Sequence, residues 1–110
     1  MFYPGNNGVM ILNYLGKNMV SFKWWKSKDQ NSNPHDVTYS IYYSLENNID
    51  TVEDARENGI LLYEGMNFHK YTITDLEEDT DYYINIVAED DDGNEIVYNT
   101  MAVQTLERGD

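Results

Sequence analysis

Between Tyr82 and Ala88 the chain alternates. Tyr82, Ile84, Ile86 and Ala88 fall on one parity, and Tyr83, Asn85 and Val87 on the other. A period of two sends successive side chains to opposite faces of a strand, so the first set faces a core. Similar runs recur along the chain. Residues 9–15 are a short apolar run closed by Gly16, Lys17 and Asn18. In residues 19–27, Val20, Phe22 and Trp24 share one face while Ser21, Lys23 and Trp25 share the other. Residues 37–44 point Val37, Tyr39, Ile41 and Tyr43 inward and Thr38, Ser40 and Tyr42 outward. Residues 60–64, 69–76 and 95–105 complete a set of seven predicted strands, at the spacing of an all-β sandwich. Polar, turn-forming residues separate them at 27–36 and 65–67, and the Asp92-Gly93 pair supplies the conformation of a hairpin turn between the last two.

One segment departs from period two. Residues 47–59 place Asp50 at a predicted N-cap, Glu53 three residues on, further acids in the first turn and Gly59 as a stop. That pattern predicts a helix of about two turns. Only Val52 and Ala55 give it an apolar side, so it needs tertiary contact to form and is expected to lie lightly on the sandwich edge. A decorated loop explains it better than a docking helix, which carries a wider apolar stripe.

The stretch from Leu76 through the last alternating strand resembles fibronectin type III domains, whose pattern there runs Leu-x-Pro-x-Thr-x-Tyr-x-Val-x-Val-x-Ala. The matching positions are Leu76, Glu78, Thr80, Tyr82, Ile84, Ile86 and Ala88, with Glu78 in place of the proline. The resemblance covers about residues 8–105. It leaves 1–7 as a lead-in and 106–110 as a C-terminal tail. It implies an immunoglobulin-like sandwich of strands A, B, C, C′, E, F and G, with the short helix between C and C′. It further implies a tyrosine corner at Tyr82, whose hydroxyl reaches back to the upstream backbone. Trp24, Tyr39, Ile41, Leu76, Tyr82, Ile84 and Ile86 are the expected structural core. The role implied is that of a non-catalytic spacer or interaction module, excised from a larger exported or cell-surface protein. Its partners would be neighbouring domains, and another protein or a glycan.

Composition narrows the options further. The chain of 110 residues suits one domain, and its fifteen Phe, Trp and Tyr residues supply large areas for burial. With no Cys there is no disulfide, thiolate nucleophile or Cys-based metal site. Four lysines against two aspartates make residues 1–44 basic by +2, whereas eighteen acids against Arg56, Lys70 and Arg108 make residues 45–110 acidic by −15. The net charge of −13 repels phosphates and anionic headgroups, which argues against nucleic acid. No apolar run is long enough for a membrane-spanning helix.

Candidate chemistry is sparse. The histidines, His35 and His69, lie on segments that the predicted topology does not bring together. None of Ser21, Ser27, Ser32, Ser40 and Ser44 sits in a Gly-x-Ser-x-Gly elbow, so no hydrolytic triad is assembled and no cofactor is expected. Asp90, Asp91, Asp92, Asn94 and Glu95 offer oxygens to a Ca²⁺ ion, but the EF-hand spacing is missing, and turn geometry accounts for the same residues. Tyr42, Tyr83 and Val87 are expected to form an outward strip on one sheet, with Trp25 outward on the other. Such a strip could hold a sugar ring or a partner, or merely stabilise cross-strand pairs. The terminal Arg108-Gly109-Asp110 string matches one that integrins read on the F–G turn of some fibronectin type III domains; here it stands on the tail, without that context.

Overall fold

A computed structural model describes residues 2–27, 37–66 and 68–107. A short turn of 3-10 type at Gly5–Gly8 leads into eight strands: β1 Ile11–Leu15, β2 Val20–Lys23, β3 Thr38–Ser44, β4 Ile60–Met66, β5 Lys70–Ile73, β6 Asp81–Glu89, β7 Glu95–Val97 and β8 Met101–Gln104. One helix, α1 at Val52–Asn58, lies between β3 and β4. The strands form two antiparallel sheets. One is ordered β1-β2-β5; the other runs β4-β3-β6-β7, with β8 also pairing β6.

The architecture is the expected sandwich, with eight strands among the described residues where the sequence pattern predicts seven. The difference lies in the last strand, which is broken in two. Val87 pairs with Val97 and Ile84 with Met101. Two residues on β6, Asn85 and Ile86, therefore face three on the other side, Tyr98, Asn99 and Thr100. One extra residue makes a bulge. Asn85 is fully buried beside it, and its side-chain amide donates to the Ile49 carbonyl (2.9 Å) and the Thr100 hydroxyl (3.1 Å). At the other edge, Gly65 and Met66 continue β4 opposite Tyr39 and Thr38, where a turn is predicted; residue 67 lies outside the described residues.

Between the sheets lies the larger core. Val20, Phe22 and Trp24 meet Tyr39, Ile41, Tyr82, Ile84, Ile86 and Ala88 from the facing sheet. Trp24 is 2% exposed, with ring centroids of Phe22 and Tyr39 at 5.8 Å and an edge-on Phe68 at 5.3 Å. Burying a ring of this size stabilises the fold strongly, since truncation to Ala costs about 3–5 kcal/mol. At the opposite end, buried Tyr82 accepts at its hydroxyl from the Glu77 N–H (2.8 Å), which is the geometry of a tyrosine corner. Leu76 is pinned there too: its N–H donates to the Asn18 carbonyl and its own carbonyl accepts from the Asn18 amide, both at 2.9 Å.

The outer face of the larger sheet corrects the sequence reading. Tyr42 and Val87, expected in solvent, are 8% and 1% exposed. They form a second core with Ile49 and Ala55, and Val52, Tyr83 and Val97 pack around it. The lid is α1. The predicted cap shifts by one residue: Thr51, not Asp50, accepts from the Asp54 N–H (3.0 Å), and Asp50 instead accepts from the Thr100 hydroxyl. At the far end the Gly59 N–H donates to the Ala55 carbonyl (2.9 Å). A Cβ on Gly59 would lie 2.5 Å from that oxygen, so the residue is glycine because of the close approach. Arg56 ties the helix to Glu95, with Glu89 at 4.0 Å. The Glu95 carboxylate raises the guanidinium pKa above its ordinary value.

Candidate functional site

Three hydroxyls meet at the end of the sandwich where β2 runs out. The Ser27 N–H donates to the Tyr39 hydroxyl (2.8 Å), and Ser27 Oγ lies 3.0 Å from the Tyr98 hydroxyl. The single Tyr98 proton goes to the Trp25 carbonyl, so the Ser27 hydroxyl is the donor in their shared bond. Burial pushes both phenols above the ordinary tyrosine pKa. The sequence pattern marks Ser27 only as one of five serines outside any nucleophile elbow, and it does not mark Tyr98. Tyr98 reads there as one more residue of a strand, and its partners lie about seventy positions away.

This knot fixes the path of the chain from Trp24 to Ser27. The Trp24 N–H donates to the His69 carbonyl (3.0 Å), and Gly5 packs so tightly that a Cβ there would lie 2.4 Å from the Lys26 carbonyl oxygen. Held in this way, Lys23, Trp24, Trp25, Lys26 and His69 line an open cleft of about 400 Å³. Trp25 is 47% exposed. Trp24 forms one wall, and its buried Nε1–H has no acceptor among the described residues. Most buried polar groups are paired, so an orphaned donor beside a cleft needs an explanation.

Of the residues expected at the surface, Trp25 is thus exposed and Tyr83 half-buried, while Tyr42 and Val87 lie beneath α1. The structure does not bring Trp25 together with the other three: it follows the end of β2, a strand of the sheet across the sandwich.

The acidic turn closes on itself. Asp90 is buried; its Oδ1 accepts from the Asp92 N–H (3.0 Å) and the Asn94 N–H (2.8 Å), and its Oδ2 from the Asn94 amide (3.0 Å). Gly93, at φ +86°, makes the reversal, and its N–H donates to the Asp90 carbonyl at 3.2 Å. Asp91 and Asp92 are exposed. Among the described residues, no group of three or more His, Asp or Glu side chains is placed to hold a metal ion. Turn geometry accounts for this arrangement of Asp and Asn.

The residues considered for catalysis are dispersed. Ser21 bonds Thr72, Ser27 bonds Tyr98, Ser40 donates to Glu64 (2.6 Å) and Ser44 to Asn48 (2.8 Å). His69 is exposed at the cleft. His35, Ser32 and the Arg108-Gly109-Asp110 string lie outside the described residues.

Two packed antiparallel sheets, a tyrosine corner and a core Trp define an immunoglobulin-like sandwich. The family model for the fibronectin type III domain matches residues 10–103, and the chain belongs to that family. Such domains commonly act as interaction or spacer modules and are generally non-catalytic. Similar solved structures include a fibronectin type III domain of human fibronectin type III domain containing protein 3, at 16% identity and a TM-score of 0.63. That match covers 96% of this chain and 89% of the other. The sensor domain of the anti-sigma factor RsgI4 from Pseudobacteroides cellulosolvens matches at 13% identity and a TM-score of 0.53, over 90% of this chain and 75% of that one. Both likenesses concern the fold. No curated protein is significantly similar to the chain. Among the described residues, no helix is long and apolar enough to cross a membrane.

Proposed function

We propose that this domain is a non-catalytic spacer and interaction module within a larger exported or cell-surface protein. The observation that carries the reading is where the chain enters and leaves. Gly5 packs against Trp25 and Lys26 at one end of the β1–β2 hairpin. At the other end the Leu106 N–H donates to the Gly16 carbonyl (3.0 Å), and the Asp79 N–H to the Leu106 carbonyl (3.1 Å). Domains joined before and after it are therefore held apart by the β1–β2 hairpin. Neighbouring domains are its first partners.

Exposed Tyr3 and Leu106 mark the two ends. With dyes at Tyr3→Cys and Leu106→Cys, single-molecule energy transfer is expected to give one narrow distance distribution. A broad or short distribution would defeat the spacer role.

A second reading, a carbohydrate-binding accessory module, is favoured by the cleft at Trp25, whose half-exposed indole offers an apolar platform with polar groups around it. The calcium version of that reading has less support, because the Asp90 carboxylate is already engaged by its own turn.

A further inference from the structure

We infer that the Trp25 cleft takes an acidic sugar: a pyranose ring bearing a carboxylate, stacked on the indole with its charge among the neighbouring lysines. The inference rests on the carbohydrate reading of the cleft and names the class of sugar.

Charge placement is the first argument. The domain has twenty Asp and Glu against seven Lys and Arg, yet three of those seven converge here. Lys23 and Lys26 line the cleft, and Lys70 stands directly opposite Lys23 in the β2–β5 register. Both Lys23 and Lys70 are exposed, and neither has an ion-pair partner among the described residues. Like charges directly across a ladder destabilise a sheet. In so acidic a chain, a carboxylate at either position would have relieved that repulsion. A bound anion relieves it equally well.

The orphaned donor is the second argument. Trp24 forms a wall of the cleft, with its Nε1–H buried and unpaired among the described residues. A small shift of the indole toward a ligand oxygen would satisfy it. Third is the platform itself. An exposed indole beside ammonium groups fits the apolar face of a ring whose edge carries hydroxyls and a carboxylate. An extended acidic peptide would use the lysines and leave the indole idle, and a neutral sugar would use the indole and leave the lysines idle. Only a charged ring uses both.

The test is a titration of the intact domain, followed by amide NMR, with three probes at equal ring or residue concentration: oligogalacturonate, a neutral oligosaccharide such as cellohexaose, and oligoglutamate. Oligogalacturonate is expected to shift amides of residues 23–26, 69 and 70. Trp25→Ala should weaken it about tenfold, and the Lys23→Gln/Lys70→Gln pair by a similar factor. All three positions are exposed, so the variants should keep the amide spectrum of the folded domain, which serves as the control. Binding of oligoglutamate as tight as that of the uronate, or indifference to Trp25→Ala, would overturn the proposal, since charge alone would then explain it. Equal binding of the neutral oligosaccharide would overturn the acidic class while leaving a carbohydrate site in place. If no probe shifts these amides at millimolar concentration, both readings fail.

Discussion

The inner face of the larger sheet and the part of its outer face beneath α1 are both dry, but they are built differently. The inner face lies between two sheets and is filled by side chains from β2, β3, β5 and β6, with Trp24, Phe22 and Tyr39 at its centre. The outer face is closed by a helix of seven residues that contributes Val52 and Ala55, while Ile49 comes from the loop before it. An interior made by regular alternation belongs to the whole domain. One made by a small insert is local, and it depends on caps and ties as much as on apolar area. β6 lies between the two and is buried on both sides, so Asn85 and Val87 are as enclosed as Ile84 and Ile86.

The largest effect should come from the inner side. Trp24→Ala is expected to cost about 3–5 kcal/mol in denaturant unfolding and to lower protection from hydrogen exchange throughout both sheets. Ala55→Asp attacks the other side. Burying an unpaired carboxylate costs about 2 kcal/mol or more, and the helix can avoid that cost by lifting off. We expect amides of residues 52–59 to lose protection while β3 and β6 keep theirs. If the whole sheet melts with the helix, the two cores are one cooperative unit and the contrast is wrong.

Tyr98→Phe tests the knot that shapes the cleft. Removing a buried hydroxyl that serves two partners should cost about 1–3 kcal/mol. It also changes the pH profile. Because burial raises the Tyr98 and Tyr39 pKa values above 10.0, the folded state holds these protons more tightly than the unfolded chain. Their contribution is fully present below pH about 10 and is lost as pH rises toward the folded values. Thermal unfolding from pH 8 to 11 should show that alkaline decline, and Tyr98→Phe should make it shallower.

Smaller effects belong to the outer side. Thr51→Ala removes the helix cap, at about 1 kcal/mol. Arg56→Gln removes an ion pair whose side chain is about half exposed, so solvent screening should hold the loss below about 1 kcal/mol. Both are measured by urea unfolding; a Thr51→Ala cost above that of Tyr98→Phe would reverse the ordering of the two regions.

This asymmetry also explains which features the sequence displays. Trp24 and Tyr82 stand out because their strands alternate, and alternation follows from a backbone that every strand shares. The outer core has no such rule. Tyr42 and Val87 occupy positions that face water in an uncovered sheet, and only the docking of Ala55, well away in sequence from Val87, removes them from it. The acids of α1 mark a helix correctly, but Asp50 and Thr51 are both good caps, and the Thr100 hydroxyl draws Asp50 away. Likewise Tyr98, at the break between β7 and β8, reaches across to Trp25, and local pattern carries no trace of that contact. The cleft combines both cases. Trp25 and Lys23 share a face by parity, whereas His69 and Lys70 arrive through strand pairing.

The buried amide of Asn85 acts as a key cut for one lock. Its NH₂ group reaches the Thr100 hydroxyl across the bulge where three residues face two, so sliding the final strand by a single position would break that bond, while the bond to the Ile49 carbonyl, which lies off that strand, would remain. The domain thereby gives up some apolar packing at its centre and gains a single permitted alignment. An Asn85→Leu protein could therefore be as stable as the parent and yet populate more than one register.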